Sequence, residues 1–222
     1  MIVSNLSFEE AIARSAEILE RVDNQEPSQD EVESLDSILT TVPSARGFFV
    51  ALLTGESAQA DQPSQWLIDL FRRHAGLVID LTVKNLVMST AQLAPVQSSN
   101  AGDASKAGES GKSSQSSPSS PSSESRPLAV SEQWQEPDNA RETVRKNGSR
   151  TVARRATEIA CLLALPEMKM ALSDINDAIE SCLTGQAGCH DSYFGQFLLR
   201  WRYDKEQLSL CRVAVLEALR RI

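Results

Sequence analysis

Between Gln97 and Arg126 the chain carries 13 Ser in 30 residues, with Gly and Pro making up much of the rest. Almost no apolar side chain is available there, so burial cannot offset the ~1–2 kcal/mol per residue that backbone ordering costs. The segment reads as a disordered linker, which confines folding to what lies on either side of it. The expected organisation is an acidic helical module over 1–95, a Ser/Gly/Pro-rich linker over 96–137 and a mildly basic helical module over 138–222. Charge divides at the same places. The three segments carry net charges of −8, −2 and +2, and the 222-residue chain is −8 overall. Such a surface repels phosphate and argues against broad nucleic-acid binding. The chain is 41% hydrophobic but only 5% aromatic, so a core of Leu, Ile, Val and Ala is expected.

In the first module the apolar period is helical. Ser7 opens S-F-E-E, a capping box with Glu10 at the third position, and Phe8, Ile12, Ala16, Leu19 and Val22 recur at steps of three and four, predicting a helix over 8–22. Ser28 opens a second box, S-Q-D-E, and Pro43 stops a helix of about 29–41. The stretch SARGFFVALLTGES then runs six apolar residues in a row, Phe48 to Leu53. Taken alone it fits a buried strand or a buried helix. Nothing else in the chain reads as a strand, and a lone strand leaves its backbone groups unpaired. The stretch is therefore taken as a short helix capped by Ser44 and ended by Gly55. Ser64 caps the next helix, Gly76 marks a break, and a long helix follows over about 77–93, with Asp80 and Lys84 on an exposed face. Phe48, Phe49, Trp66 and Phe71 are the expected core anchors.

The second module reads as four helices. Ser149 is the expected cap of the first, Pro166 starts the second, Ser192 opens YFGQFLLRWRY, and Asp204 caps the last. Phe197 and Trp201 are its expected core anchors. The fold class is thus all-α, with two small bundles of about five and four helices. Whether the two bundles pack together is left open at this stage.

Motifs of chemistry are few. GESGKSS at 108–114 resembles a phosphate loop, but Lys106 stands where the pattern needs Gly, and the linker supplies no flanking strand and helix. Cys182, Cys189 and His190 do not have the spacing of a structural zinc site. No cofactor, metal site or catalytic pairing is expected. MIVSNLSFEE lacks the basic and apolar regions of a signal peptide, so a cytoplasmic setting with reduced thiols is expected. The most apolar run, Leu77 to Met88, is too short to cross a membrane. Ser117-Pro118 and Ser120-Pro121 have the form of proline-directed phosphorylation sites.

The feature that remains is a basic run. Arg141, Arg145, Lys146, Arg150, Arg154 and Arg155 face a single acid, Glu142, within 15 residues. Without interleaved aromatics it is not built for stacking on single strands. It suits a solvated face, an acidic protein partner, the chain's own acidic module or, less well, nucleic acid. The expected function is a non-enzymatic interaction, adaptor or assembly factor with a protein partner. A nucleic-acid-associated regulator using 141–155 is the alternative, and a small enzyme or metal protein using Cys189–His190 is a further one.

Overall fold

The computed structural model describes residues 6–95, 138–185 and 191–222. Among these the chain is helical, with nine α-helices and no strand. They are α1 (Phe8–Val22), α2 (Gln29–Ile38), α3 (Val42–Thr54), α4 (Gln65–Arg73), α5 (Ala75–Ala91), α6 (Asp138–Leu163), α7 (Pro166–Thr184), α8 (Tyr193–Trp201) and α9 (Lys205–Arg221), with a 3-10 turn at Ala58–Ala60. Both capping boxes form: the Ser7 and Ser28 hydroxyls accept the amides of Glu10 and Glu31, whose carboxylates accept the serine amides in return.

Several expected boundaries move. Pro43 belongs to the first turn of α3, where its missing N–H costs nothing, and Thr41 rather than Ser44 is the cap. The Ser44 hydroxyl instead donates to the carbonyl of Ile38, tying α3 to the end of α2. The break between α4 and α5 falls at His74, with Gly76 already helical. Ser149 lies inside α6, which starts eleven residues before it. Its hydroxyl donates to Gln92 Oε1 at 2.8 Å.

The stretch of six apolar residues is helix α3, and Phe48, Phe49, Leu52 and Leu53 are almost wholly buried. Phe48 meets Phe49 and Phe71 edge-on at 5.8 and 5.9 Å, while Phe49 and Phe71 stack at 6.0 Å. Trp66 and Phe197 are only partly buried, packed at the edge of the core. Trp201 is not a core residue. It sits at the last position of α8, 51% exposed. Trp201 follows Phe194 and Leu198 at the helical period, but it is the last residue of α8 and stays half-exposed there.

One buried cluster runs through both helical parts, from Ala11 in α1 to Ala218 in α9. Its central member is α5, with Val78, Ile79, Leu81, Val83, Leu86, Val87 and Ala91 buried on nearly all sides, the pattern of a helix surrounded by others. It packs against α3 and α4 of its own half and against α6, α7 and α9 of the other. Gln207 Nε2 donates to the carbonyl of Ala91 and the Cys211 thiol to that of Val87, so α9 runs antiparallel to α5.

The closest approach is between α1 and α3. A Cβ on Gly47 would lie 2.6 Å from the Phe8 carbonyl oxygen and 2.8 Å from Ala11 Cβ. These are backbone and near-backbone atoms, so the helices themselves would have to separate. Gly47→Ala, which favours an isolated helix by ~0.5–1 kcal/mol, is expected here to destabilise by ~1–3 kcal/mol; chemical denaturation gives the sign. By the same measurement Phe49→Ala is expected to cost ~3–5 kcal/mol.

Candidate functional site

Helix α6 carries the basic run, and its 26 residues span ~39 Å at 1.5 Å per residue. Its first buried side chain is Ser149, which meets Gln92 just beyond the last turn of α5. At its other end Glu158 pairs with Arg221 near the end of α9, at 2.8 Å. Since α9 is antiparallel to α5, α6 is antiparallel to α5 as well. Its N-terminal part therefore continues past the end of α5, and none of residues 140–148 is buried.

The sequence of α6 follows that geometry. Ser149, Ala156, Ile159, Ala160 and Leu163 are buried on the inward stripe. Continued one and two turns upstream, the stripe reaches Arg145 and Glu142. Charge replaces apolar surface where α6 outruns its neighbour. Lys146 pairs with Glu142 at 2.7 Å, and this hydrogen bond holds the Glu142 carboxyl below the usual carboxylate range. Arg150 reaches the Asn147 side chain. Arg141 and Arg145 have no ion-pair partner among the described residues, and between them Val144 is 72% exposed.

Arg154 and Arg155 have a different role. Arg155 is only 6% exposed. Its Nε and Nη2 donate to the two oxygens of Asp61 at 3.0 and 2.9 Å, and its Nη1 donates to the carbonyls of Leu53 and Gly55 at 2.9 and 2.6 Å. Those carbonyls are at the C-terminal end of α3, where helix geometry leaves acceptors unpaired. Arg154 adds a second pairing to Asp61. Asp61 is presented by the 3-10 turn at Ala58–Ala60, which Asp23 holds by accepting from the Ser57 hydroxyl and from the amides of Ala58 and Gln59. Of the six basic residues, two thus close the chain's own fold. Four remain on the projecting arm.

Several other ionisable groups are committed structurally. Asp80 and Lys84 are part-buried rather than an open face. Lys84 Nζ lies 2.9 Å from Asp80 and 2.6 Å from the Tyr193 hydroxyl, which in turn donates to Asp80. The same ammonium sits over the rings of Tyr193 and Phe197. His74 meets Asp36 beside Arg73. Burial pushes the Cys211 thiol up to about 12, which leaves it no nucleophile. Cys182 is disulfide-bonded, a correction to the expectation of four reduced cysteines. The Cys189–His190 pair, GESGKSS and the two Ser-Pro sites lie outside the described residues. Among the described residues no three metal-ligating side chains converge.

The hydrogen bonds from Arg155 are the main cause that brings the Asp61 carboxyl down to about 2. A lowered carboxylate pKa stabilises the fold above the unfolded value near 3.9 and loses that contribution as pH falls toward the folded value. Acid unfolding between about pH 4 and 2 should therefore be shallower in Asp61→Asn than in the parent chain. Arg155→Ala is expected to cost ~1.5–3 kcal/mol at neutral pH, the range for hydrogen bonds to charged groups. The value stays below that of a fully buried pair because Asp61 is itself open to water and can rehydrate.

No curated protein and no solved structure matches the chain. A family match covers residues 7–119, just over half of the chain, and so contains α1 to α5 with Asp61 but not α6. The chain belongs to the family described as Uncharacterised conserved protein UCP020893.

Proposed function

We propose that the protein is a non-enzymatic interaction or assembly factor that docks an acidic protein partner on the arm of α6. The observation that carries this reading is the pair Arg141 and Arg145, exposed and unpaired among the described residues, flanking the exposed Val144 on a helix segment that touches no core. A cationic rim around an apolar side chain matches a partner helix with carboxylates around an apolar residue. Neither Arg141 nor Arg145 is buried or within ion-pair distance of an acid among the described residues, so little structural return offsets their self-repulsion. Nucleic acid is the weaker reading. With Arg154 and Arg155 engaged by Asp61, at most four cations remain for phosphates, and the arm has no aromatic residue to stack.

The test is a variant with Arg141, Arg145 and Arg150 each changed to Glu. Surface changes of this kind alter stability by about 0.5 kcal/mol or less, so its melting curve should overlay that of the parent. Tagged parent protein should retain protein partners from native lysate at low salt, lose them as salt rises, and lose them at low salt in the variant. Recovery abolished by nuclease would transfer the reading to nucleic acid.

A further inference from the structure

The exposed Trp201 lies in a corner between α8 and α9 whose chemistry differs from the rest of the surface. The sequence there is Leu199-Arg200-Trp201-Arg202, with Lys205 opening α9. Leu199 is 38% and Trp201 51% exposed, and Arg200, Arg202 and Lys205 are all exposed. None of the three cations has an ion pair among the described residues. Of the neighbouring acids, Asp204 caps α9 through the Gln207 amide and Glu206 lies exposed in the first turn of α9. Phe197 and Tyr193, one and two turns earlier on α8, both hold Lys84 against their rings, although Tyr193 is itself 62% exposed. Trp201 has no such cation over its ring among the described residues. Arg202 itself is in the left-handed region, φ 52° and ψ 43°, at the position after a helix that glycine fills at least cost. A side chain kept in that conformation is backbone strain retained at a place where a cation faces solvent.

We propose that this corner is a peripheral anchor for an anionic lipid surface. Indole at the headgroup level with arginine and lysine around it is the composition of interfacial anchors. A membrane needs no matching groove to take an exposed ring, whereas a protein partner would have to supply one. The chain is −8 overall and α7, on which α8 packs, carries Glu167, Asp174, Asp177 and Glu180 against Lys169, so the contact rests on the local cluster of Arg200, Arg202 and Lys205. The inference is independent of the docking role assigned to α6.

The experiment is vesicle sedimentation at low salt, with phosphatidylcholine alone and with an equal mixture of phosphatidylcholine and phosphatidylglycerol. It is run in an Arg141→Glu, Arg145→Glu background to remove the arm. At ~1 kcal/mol per cation near the surface, three cations should favour the anionic vesicles by about 100-fold. Trp201→Ala should reduce binding to both vesicle types. Arg202→Gly is the decisive variant, because it relaxes the backbone and so should keep or raise thermal stability while weakening anionic binding by about 5-fold. No binding to anionic vesicles, or binding that neither variant changes, overturns the proposal. Binding to polyglutamate with none to vesicles also overturns it, in favour of an acidic protein partner.

Discussion

Removing a guanidinium from water is costly unless its donors find acceptors, and in this chain Arg155 finds them in two places at once. The carboxylate of Asp61 takes two bonds and the open end of α3 takes two more. Each party lacks something without the others. The final carbonyls of α3 would otherwise need water, and the turn carrying Asp61 would lose its link to α6, keeping only its ties to Asp23 and Ser64. Asp61 and Arg155 are 94 residues apart in the chain. A contact this distant in sequence sets how α6 lies across α3, and through α6 it sets where the basic arm emerges.

Around that clamp the packing follows from side-chain size. The small Ala11 on α1 meets Gly47 beside the backbone of Phe8 and Ile12, so α1 and α3 approach until backbone and near-backbone atoms touch. That approach buries Phe48 and Phe49 against Phe71 without a gap that would need a longer side chain to fill. Helix α5, apolar on most faces, then has room for neighbours from both halves. The polar links between halves lie at the ends and edges of this contact: Ser149 with Gln92, Tyr193 with Asp80 and Lys84, and Gln207 with the last turn of α5. They fix direction and register and leave the bulk of the energy to burial.

Local features were readable in the sequence to the extent that their causes were local. Ser7, Ser28, Asp204 and Pro166 act within one helical turn, and each opens a helix where its pattern places one. Phe48, Phe49 and Phe71 are large, apolar and in register, and all three are buried. Failures came where a residue's partner is remote. Ser149 has the form of a cap, but Gln92 makes it a tertiary contact inside a longer helix. The six basic residues look equivalent in sequence, and only the position of Asp61 and the end of α5 separates clamp from arm. Trp201 resembles a core residue by type and by period, yet it ends α8 half-exposed. A signal for the clamp did exist: Arg155 is followed by Ala156 and then Ile159 and Ala160, so a cation stands at the border of an apolar stripe, where a solvated residue would be out of phase.

The position of α5 has one more consequence. Its surface is shared, so neither half can satisfy itself by folding alone: residues 6–95 would leave the α6- and α9-facing sides of α5 in water, and residues 138–222 would leave their inward stripes open. Each half is in effect the ligand of the other. The covalent connection across 96–137 then serves mainly to hold the two at high effective concentration, whatever path it takes. A chain severed within it keeps every contact of the core. Such a molecule would be nicked without being divided, and its halves, made separately, would be complementary fragments of a single fold.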